Sequence, residues 1–163
     1  MNGRERILAH LAGQPVDRLP LMPITMMFAA DQAGVKYGDY AKDFRVLVQA
    51  QMVTAEKFGF DFVSAISDPA REAADCGARV EFYPDQPPAI LEDEALLADK
   101  SRLTTLKSPD SLGGGRMTDR VEAVGLFRDR LAGDRLIEGW VEGPCADCGA
   151  RVEFYPDQPP AIL

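Results

Sequence analysis

The sequence predicts an α/β fold built on a parallel sheet, and two observations carry that expectation, while a third bears on how much of the fold is present. Short apolar runs alternate with amphipathic helices in the order strand, helix, strand, helix, strand. The run Asp61 to Ser67 is apolar almost throughout, as in a strand covered on both faces. Three strands are too few to close a barrel, which takes roughly 200 or more residues. Finally, residues 74–91 (ADCGARVEFYPDQPPAIL) recur letter for letter as residues 146–163. A structural repeat has a regular period and diverged copies, so an identical copy reads as a recent duplication or a joining error. The unique sequence is then residues 1–145, with a copied tail, and the chain is expected to be a fragment.

The elements follow in order. Asn2 is placed to cap a helix from Gly3 to Ala12, with Glu5 three positions on and Ile7, Leu8 and Leu11 as the apolar stripe. Leu19 to Thr25 reads as a short buried strand. Asp43 caps a helix in which Phe44, Leu47, Val48, Met52, Ala55 and Phe58 share a face, and Gly59 stands where a C-terminal cap belongs. After the strand Asp61 to Ser67, Arg79 to Tyr83 alternates as a strand before the turn Pro84 to Pro88. A helix is expected from about Glu94 to Lys100. Gly113 to Gly115 lies in a loop, and Thr118 caps a helix with Val121, Val124, Phe127 and Leu131 on one face. Leu136 to Val141 is the last apolar strand.

Composition narrows the function classes. With 46% hydrophobic and 27% charged residues the chain can build a core. A net charge of −8 disfavours a nucleic-acid surface, which needs a basic patch. No apolar stretch reaches the ~20 residues that span a bilayer, and the charged start does not resemble a signal peptide. A cytoplasmic protein with no membrane partner is expected, its three cysteines free thiols in a reducing compartment.

Asp68 is the candidate catalytic residue, because it stands at the C-terminal end of a buried parallel strand, where barrel enzymes place their chemistry. The alternative is a cap for a helix beginning near Ala70 to Glu72. Cys145-Ala146-Asp147-Cys148 has Cys-x-x-Cys spacing but straddles the joint, and zinc needs about four ligands, so it reads as an accident of joining. His10, the sole histidine, reads as a solvated surface residue. Met22, Met26, Met27 and Phe28 either line an apolar pocket or fill core gaps.

Arg4-Glu5-Arg6, Leu11, Gly13, Asp17-Arg18 and Pro20, followed by Asp61-Phe62-Val63 and Ile66-Ser67-Asp68, together resemble the N-terminal part of the uroporphyrinogen decarboxylase superfamily. The resemblance covers Met1 to Cys145 and is closest to the branch of cobalamin-dependent methyltransferases acting on corrinoid proteins and thiol acceptors. It implies an incomplete (β/α)8 TIM barrel, N-terminal portion only, with a tetrapyrrole-sized cleft at its C-terminal face. In the decarboxylases an aspartate in the Ser-Asp context of Ser67-Asp68 stabilises the positive charge that develops during decarboxylation, a case of electrostatic preorganisation. Ser67, Met26 and Phe28 are the expected substrate contacts. Decarboxylases carry Arg-Gln-Ala-Gly-Arg-Tyr after the first strand, its arginines gripping substrate carboxylates; here the similar stretch is Asp31-Gln32-Ala33-Gly34-Val35-Lys36. A lysine does not reproduce a bidentate guanidinium grip, so the methyltransferase branch is favoured.

For the parent enzyme the resemblance implies zinc, a corrinoid, and a tetrapyrrole or corrinoid-protein substrate. The family's zinc ligands, a His-x-Cys motif and a later Cys, belong to the second half of the barrel, so this portion is expected to bind no cofactor and to be inactive. Its open edges invite self-association. The alternatives are a uroporphyrinogen decarboxylase, a non-catalytic assembly module, and a zinc-binding tail on Cys145 and Cys148.

Overall fold

The structure, a computed structural model, describes residues 1–142 and two strands of the copied tail, Val152–Tyr155 and Gln158–Ile162. Helix α1 (Gly3–Leu11) starts as expected: Asn2 Oδ1 accepts from the Glu5 N–H at 2.8 Å, and Glu5 accepts from the Asn2 N–H at 3.0 Å. Leu19 to Thr25, by contrast, forms no strand. Pro20 and Pro23 have no N–H to give a ladder, and the segment meets the sheet at Leu21, whose carbonyl accepts from the Asp61 N–H at 3.0 Å.

Two helices follow that periodicity does not reveal. Helix α2 (Met26–Ala33) is apolar on nearly every side, and α3 (Tyr37–Lys42) is shorter than two turns. Helix α4 (Phe44–Phe58) matches its expected bounds, with Asp43 accepting from the Arg45 N–H at 2.8 Å and Gly59 left-handed at φ 68°. Its buried face is Leu47, Val48, Ala50, Gln51, Thr54 and Ala55, so Phe58 turns outward.

Strand β1 (Phe62–Ser64) lies parallel to the later strand Leu136–Glu138, with Phe62 opposite Leu136. The parallel sheet was expected; its third strand is missing, and both pairing segments are shorter than their apolar runs. Beyond β1 the chain stays buried through Asp68 into α5 (Arg71–Asp75).

Strands β2 (Val80–Glu81) and β3 (Ala89–Ile90) form an antiparallel hairpin around the proline-rich turn. No α-helix forms at 94–100. Instead 3-10 turns occupy Glu92–Glu94 and Lys100–Thr105, and the second buries none of its residues, so no packing offsets the cost of helix nucleation.

Helix α6 (Arg116–Leu131) begins two residues before Thr118, and its buried face is Arg120, Ala123, Phe127 and Leu131; Val121 is exposed. It leads into β4 (Leu136–Glu138). Leu47, Val48, Val63, Ala123 and Phe127 make the centre of the core, where α4, α6 and β1 meet. In the copied tail β5 (Val152–Tyr155) and β6 (Gln158–Ile162) pair antiparallel. Val152 faces Ile162 and Glu153 faces Ala161, the same register as Val80 with Ile90 and Glu81 with Ala89. The Cys145 to Cys148 motif lies outside the described residues. Among the described residues no helix is long and apolar enough to cross a membrane.

Candidate functional site

The C-terminal end of β1 delivers Ser64 to Asp68 into the interior, and the surrounding helices supply its partners. Asp68 is 1% exposed. Its Oδ1 accepts from Arg116 Nη1 at 2.8 Å, its Oδ2 accepts from Arg116 Nη2, and Oδ1 also takes the Ala70 N–H at 3.2 Å. Both readings of Asp68 are therefore present in one side chain: it closes a local turn before α5 and grips a guanidinium in the paired geometry that makes charge-assisted bonds strong.

Arg116 is itself held from several sides. It opens α6, whose first N–H groups, those of Arg116 and Met117, donate to Asp75 at 2.8 and 2.7 Å. A carboxylate at a helix N-terminus satisfies orphan donors and meets the positive end of the helix dipole. Gly115 is needed here, because a Cβ would stand 2.5 Å from Asp75 Oδ1. Arg116 Nη2 also donates to the Ala41 carbonyl at 3.1 Å, and its guanidinium carbon lies 5.2 Å from the centre of the Phe82 ring. The β2–β3 hairpin thus covers the arginine that holds Asp68.

Around this pair the buried polar groups are not all satisfied. Tyr37 OH donates to the Ser67 carbonyl, and Tyr40 OH donates to the Ile66 carbonyl at 2.9 Å while accepting from Gln51 Nε2 at 2.8 Å. Burial pushes both phenols well above their ordinary pKa. Among the described residues, four buried side-chain polar atoms make no hydrogen bond: Ser67 Oγ, Arg71 Nη1, Glu72 Oε2 and Arg120 Nη1. All belong to this end of the sheet and the helices against it.

Arg71, 1% exposed, uses Nε on Glu72 at 2.9 Å and Nη2 on the Trp140 carbonyl at 2.7 Å. Arg120 pairs with Asp119. Burial, and then the neighbouring guanidiniums of Arg71 and Arg116, press the Arg120 pKa down to about 10, although Tyr40 and Asp68 work in the other direction. Arg71, Glu72 and Arg120 line a cavity of about 210 Å³ with Ala65, Val124 and Trp140. Its walls are mainly apolar, and its size falls below the ~300–1,000 Å³ of pockets for drug-sized ligands. A tetrapyrrole does not fit within walls of this size.

The comparisons with known proteins give a family and a fold. The uroporphyrinogen decarboxylase (URO-D) family model matches residues 2–151. The chain belongs to the uroporphyrinogen decarboxylase family. A solved structure of a methyltransferase from Methanosarcina mazei is similar to this URO-D chain with a TM-score of 0.68 at 20% sequence identity, over 91% of this chain and 45% of that one. At that identity the likeness establishes the fold alone, and the URO-D chain spans under half the length of that methyltransferase. No curated protein sequence matches.

Of the expected site residues, Ser67 and Asp68 come together, both buried. Phe28 does not join them; its ring lies 5.3 Å from that of Phe58, at the end of α4 that leads into the start of β1. Met26 opens α2 and packs against the core. His10 is exposed, as expected. Among the described residues no group of three or more His, Cys, Asp and Glu is arranged to hold a metal ion. Sequence reasoning missed Arg71, Arg116 and Arg120. The available signal was on α6, where Arg116 and Arg120 continue the stripe of Ala123, Phe127 and Leu131, so two arginines lie on a helix face that turns inward.

Proposed function

We propose that residues 1–145 are the front portion of a URO-D-superfamily enzyme that moves a methyl group between a corrinoid and a thiol or other acceptor, and that this portion alone does not turn over. The observation that carries the choice of branch is at Lys36. Where decarboxylases grip substrate propionates with two arginines, this chain has Asp31 in the last turn of α2 and Lys36, whose Nζ is held by Asp85 at 2.5 Å. No guanidinium stands in that stretch. The fold likeness to a methyltransferase supports the same branch.

In this reading the end of β1 is part of the floor of the cleft. Asp68 is the site carboxylate, and its first task is to orient Arg116, which fixes a positive charge against the floor. Ser67 contributes a hydroxyl that is still unpaired. A corrinoid would supply the methyl carrier, and zinc would belong to the half of the barrel that provides its ligands; nothing in residues 1–142 is assigned to either. The deciding experiment extends the parent coding sequence past residue 145 and follows demethylation of methylcobalamin by a thiol from its absorbance change. Turnover of uroporphyrinogen in place of that reaction would overturn the proposal.

One observation favours an assembly role for the portion by itself. Leu19 and Ile24 are 71% and 63% exposed, with Met27 and Phe28 exposed close by in sequence. Such a run of apolar side chains invites pairing. Co-purification with a chain that supplies the remaining strands would support the assembly role, and recovery only as aggregate would count against it.

A further inference from the structure

We propose that the surface beneath the β2–β3 hairpin, formed by Lys36, Gly38, Lys42 and Arg116, is a binding site for the chain's own copied tail, whose β5–β6 hairpin exchanges with β2–β3 on it. The inference is independent of methyl transfer, because it concerns only how the cover over Arg116 and Asp68 is held.

The contacts that dock the first hairpin come from residues 82–85. The Phe82 ring centre lies 5.2 Å from the Arg116 guanidinium carbon and 5.8 Å from Lys42 Nζ. The Pro84 carbonyl accepts from the Gly38 N–H at 2.8 Å, and Asp85 accepts from Lys36 Nζ at 2.5 Å. The same residues recur in the tail as Phe154, Tyr155, Pro156 and Asp157. The strand register recurs as well, with Val152 opposite Ile162 as Val80 is opposite Ile90. One surface therefore offers both hairpins the same contacts. Arg79 also ties the first hairpin to Glu94, beyond the copied stretch, but their side chains are 66% and 49% exposed and such a pair is worth little.

Little holds the first hairpin against exchange. Apart from Pro88, no residue from 76 to 91 is buried, and segments with few buried contacts open at low free energy. A two-stranded hairpin left undocked is marginal in water, so the tail gains by docking. The tail is also within reach. The Trp140 carbonyl accepts from Arg71 at the start of α5 at 2.7 Å, and Asp75 at the far end of that five-residue helix accepts from the Arg116 N–H at 2.8 Å. From Glu142 to Val152 an extended chain covers up to about 33 Å, at ~3.3 Å per residue. So short a tether gives an effective concentration of the order of mM, above that of a second copy in a micromolar solution. The occupant is accordingly the tail of the same chain. The first hairpin, anchored at both ends, holds the surface in the structure, and the tail takes it when the first is weakened.

Gly38 reports on occupancy, because its N–H lies in the first turn of α3, where a helix supplies no acceptor of its own, and is held by the hairpin instead. The test measures hydrogen exchange at that amide in the full chain and in three variants. One carries Phe82→Ser with Asp85→Lys, one carries Phe154→Ser with Asp157→Lys, and one carries both sets. The tail set alone is expected to leave Gly38 exchange unchanged, and the first set alone to speed it only in part. Both sets together are expected to speed it about tenfold or more over the first set alone, the factor that ~1.4 kcal/mol of lost docking gives. In the first-set variant the rate is expected not to change on dilution. Equal exchange in the first-set and combined variants, or no change in any variant, would overturn the proposal. Protection that disappears on dilution would overturn it too, because a second copy would then be the occupant. Unfolding shows as faster exchange at the core amides of Leu47 and Val63; in that case the milder set Phe82→Leu with Asp85→Asn, and its counterpart in the tail, decides by the same comparison.

Discussion

The two ends of β1 carry the same kind of chemistry and use it differently. At the entrance Asp61 is 2% exposed and accepts from Arg6, from Arg18 at 2.7 and 2.9 Å, and from the Leu21 N–H at 2.8 Å. Arg6 in turn binds Asp17 at 2.6 and 2.8 Å. Among the described residues, no buried polar side-chain atom at this end lacks a partner. At the exit Asp68 is also bound on both oxygens, but four atoms around it stay unpaired: Ser67 Oγ, Arg71 Nη1, Glu72 Oε2 and Arg120 Nη1. In barrels the N-terminal face of the strands serves stability and the C-terminal face serves function. The two ends of β1 differ in that same sense, one saturated and the other with polar atoms left unpaired.

The largest expected effect follows from removing the entrance carboxylate. Asp61→Ala leaves Arg6 buried with part of its charge unanswered, and breaking a buried pair by deleting one partner costs about 3–5 kcal/mol. Urea denaturation measures it, and a loss under about 1 kcal/mol would mean the cluster behaves as a surface pair. The pH dependence has a defined sign. Burial raises the Asp61 pKa, but the Arg18 hydrogen bonds, the Leu21 N–H and the charge of Arg6 outweigh it and hold it below the ordinary value. A folded-state pKa below the unfolded one gives stability that is present above the unfolded value of about 3.9 and is lost as pH falls through the folded one. The denaturation midpoint is expected to fall on acidification below about pH 4, and Asp61→Ala is expected to flatten that limb.

At the exit, removing the carboxylate charge is expected to cost less. In Asp68→Asn the partner Arg116, with 16% of its side chain exposed and Phe82 at its face, has water and an aromatic ring to turn to. A loss of about 1–3 kcal/mol is expected. Arg116→Leu is the harsher change, because it strands a carboxylate that is 0% exposed. The double variant is expected to recover part of the loss, a coupling that a double-mutant cycle measures. Independent effects of the two substitutions would sever the link between Asp68 and α6.

A smaller effect, about 1 kcal/mol, is expected from Asp75→Ala, the usual cost of losing an N-terminal cap. Because α6 carries Arg116, fraying its first turn should also loosen the Arg116 pair with Asp68. Hydrogen exchange at the Arg116 and Met117 amides reads the first effect. Unchanged exchange there would show that the turn holds without Asp75.

What the sequence made legible was local. Asn2 with Glu5 and Asp43 with Gly59 each lie within the element they end, and both helices appear where expected. The clearest case is the copied segment, which takes the same hairpin register in both places, so that register is specified by the segment itself. What stayed hidden was set by partners far along the chain. Asp75 caps a helix 41 residues away, Asp61 gathers Arg6 from 55 residues back, and Thr118 loses its expected capping role. The strand expected at Leu19 to Thr25 failed for a reason already in the sequence, since two prolines outweigh an apolar run.

The least disruptive change sharpens the comparison from outside. Lys36 and Asp85 form the same pairing of cation and carboxylate as the buried clusters, but their side chains are 65% and 58% exposed. The Asp85 hydrogen bond and charge raise the Lys36 pKa, yet water screens such a pair and side-chain ordering opposes it. Lys36→Ala is therefore expected to leave the denaturation midpoint unchanged within error. The hairpin it touches is docked by other means: the Gly38 N–H donates to the Pro84 carbonyl at 2.8 Å, and a Cβ at Gly38 would stand 2.4 Å from the Tyr83 carbonyl. Gly38→Ala should accordingly displace the hairpin, and with it Phe82 from Arg116, where loss of the lysine does not. If Lys36→Ala were as costly as Asp61→Ala, charge pairing by itself, without burial, would be what holds this molecule together, and the contrast between the two ends of β1 would lose its physical basis.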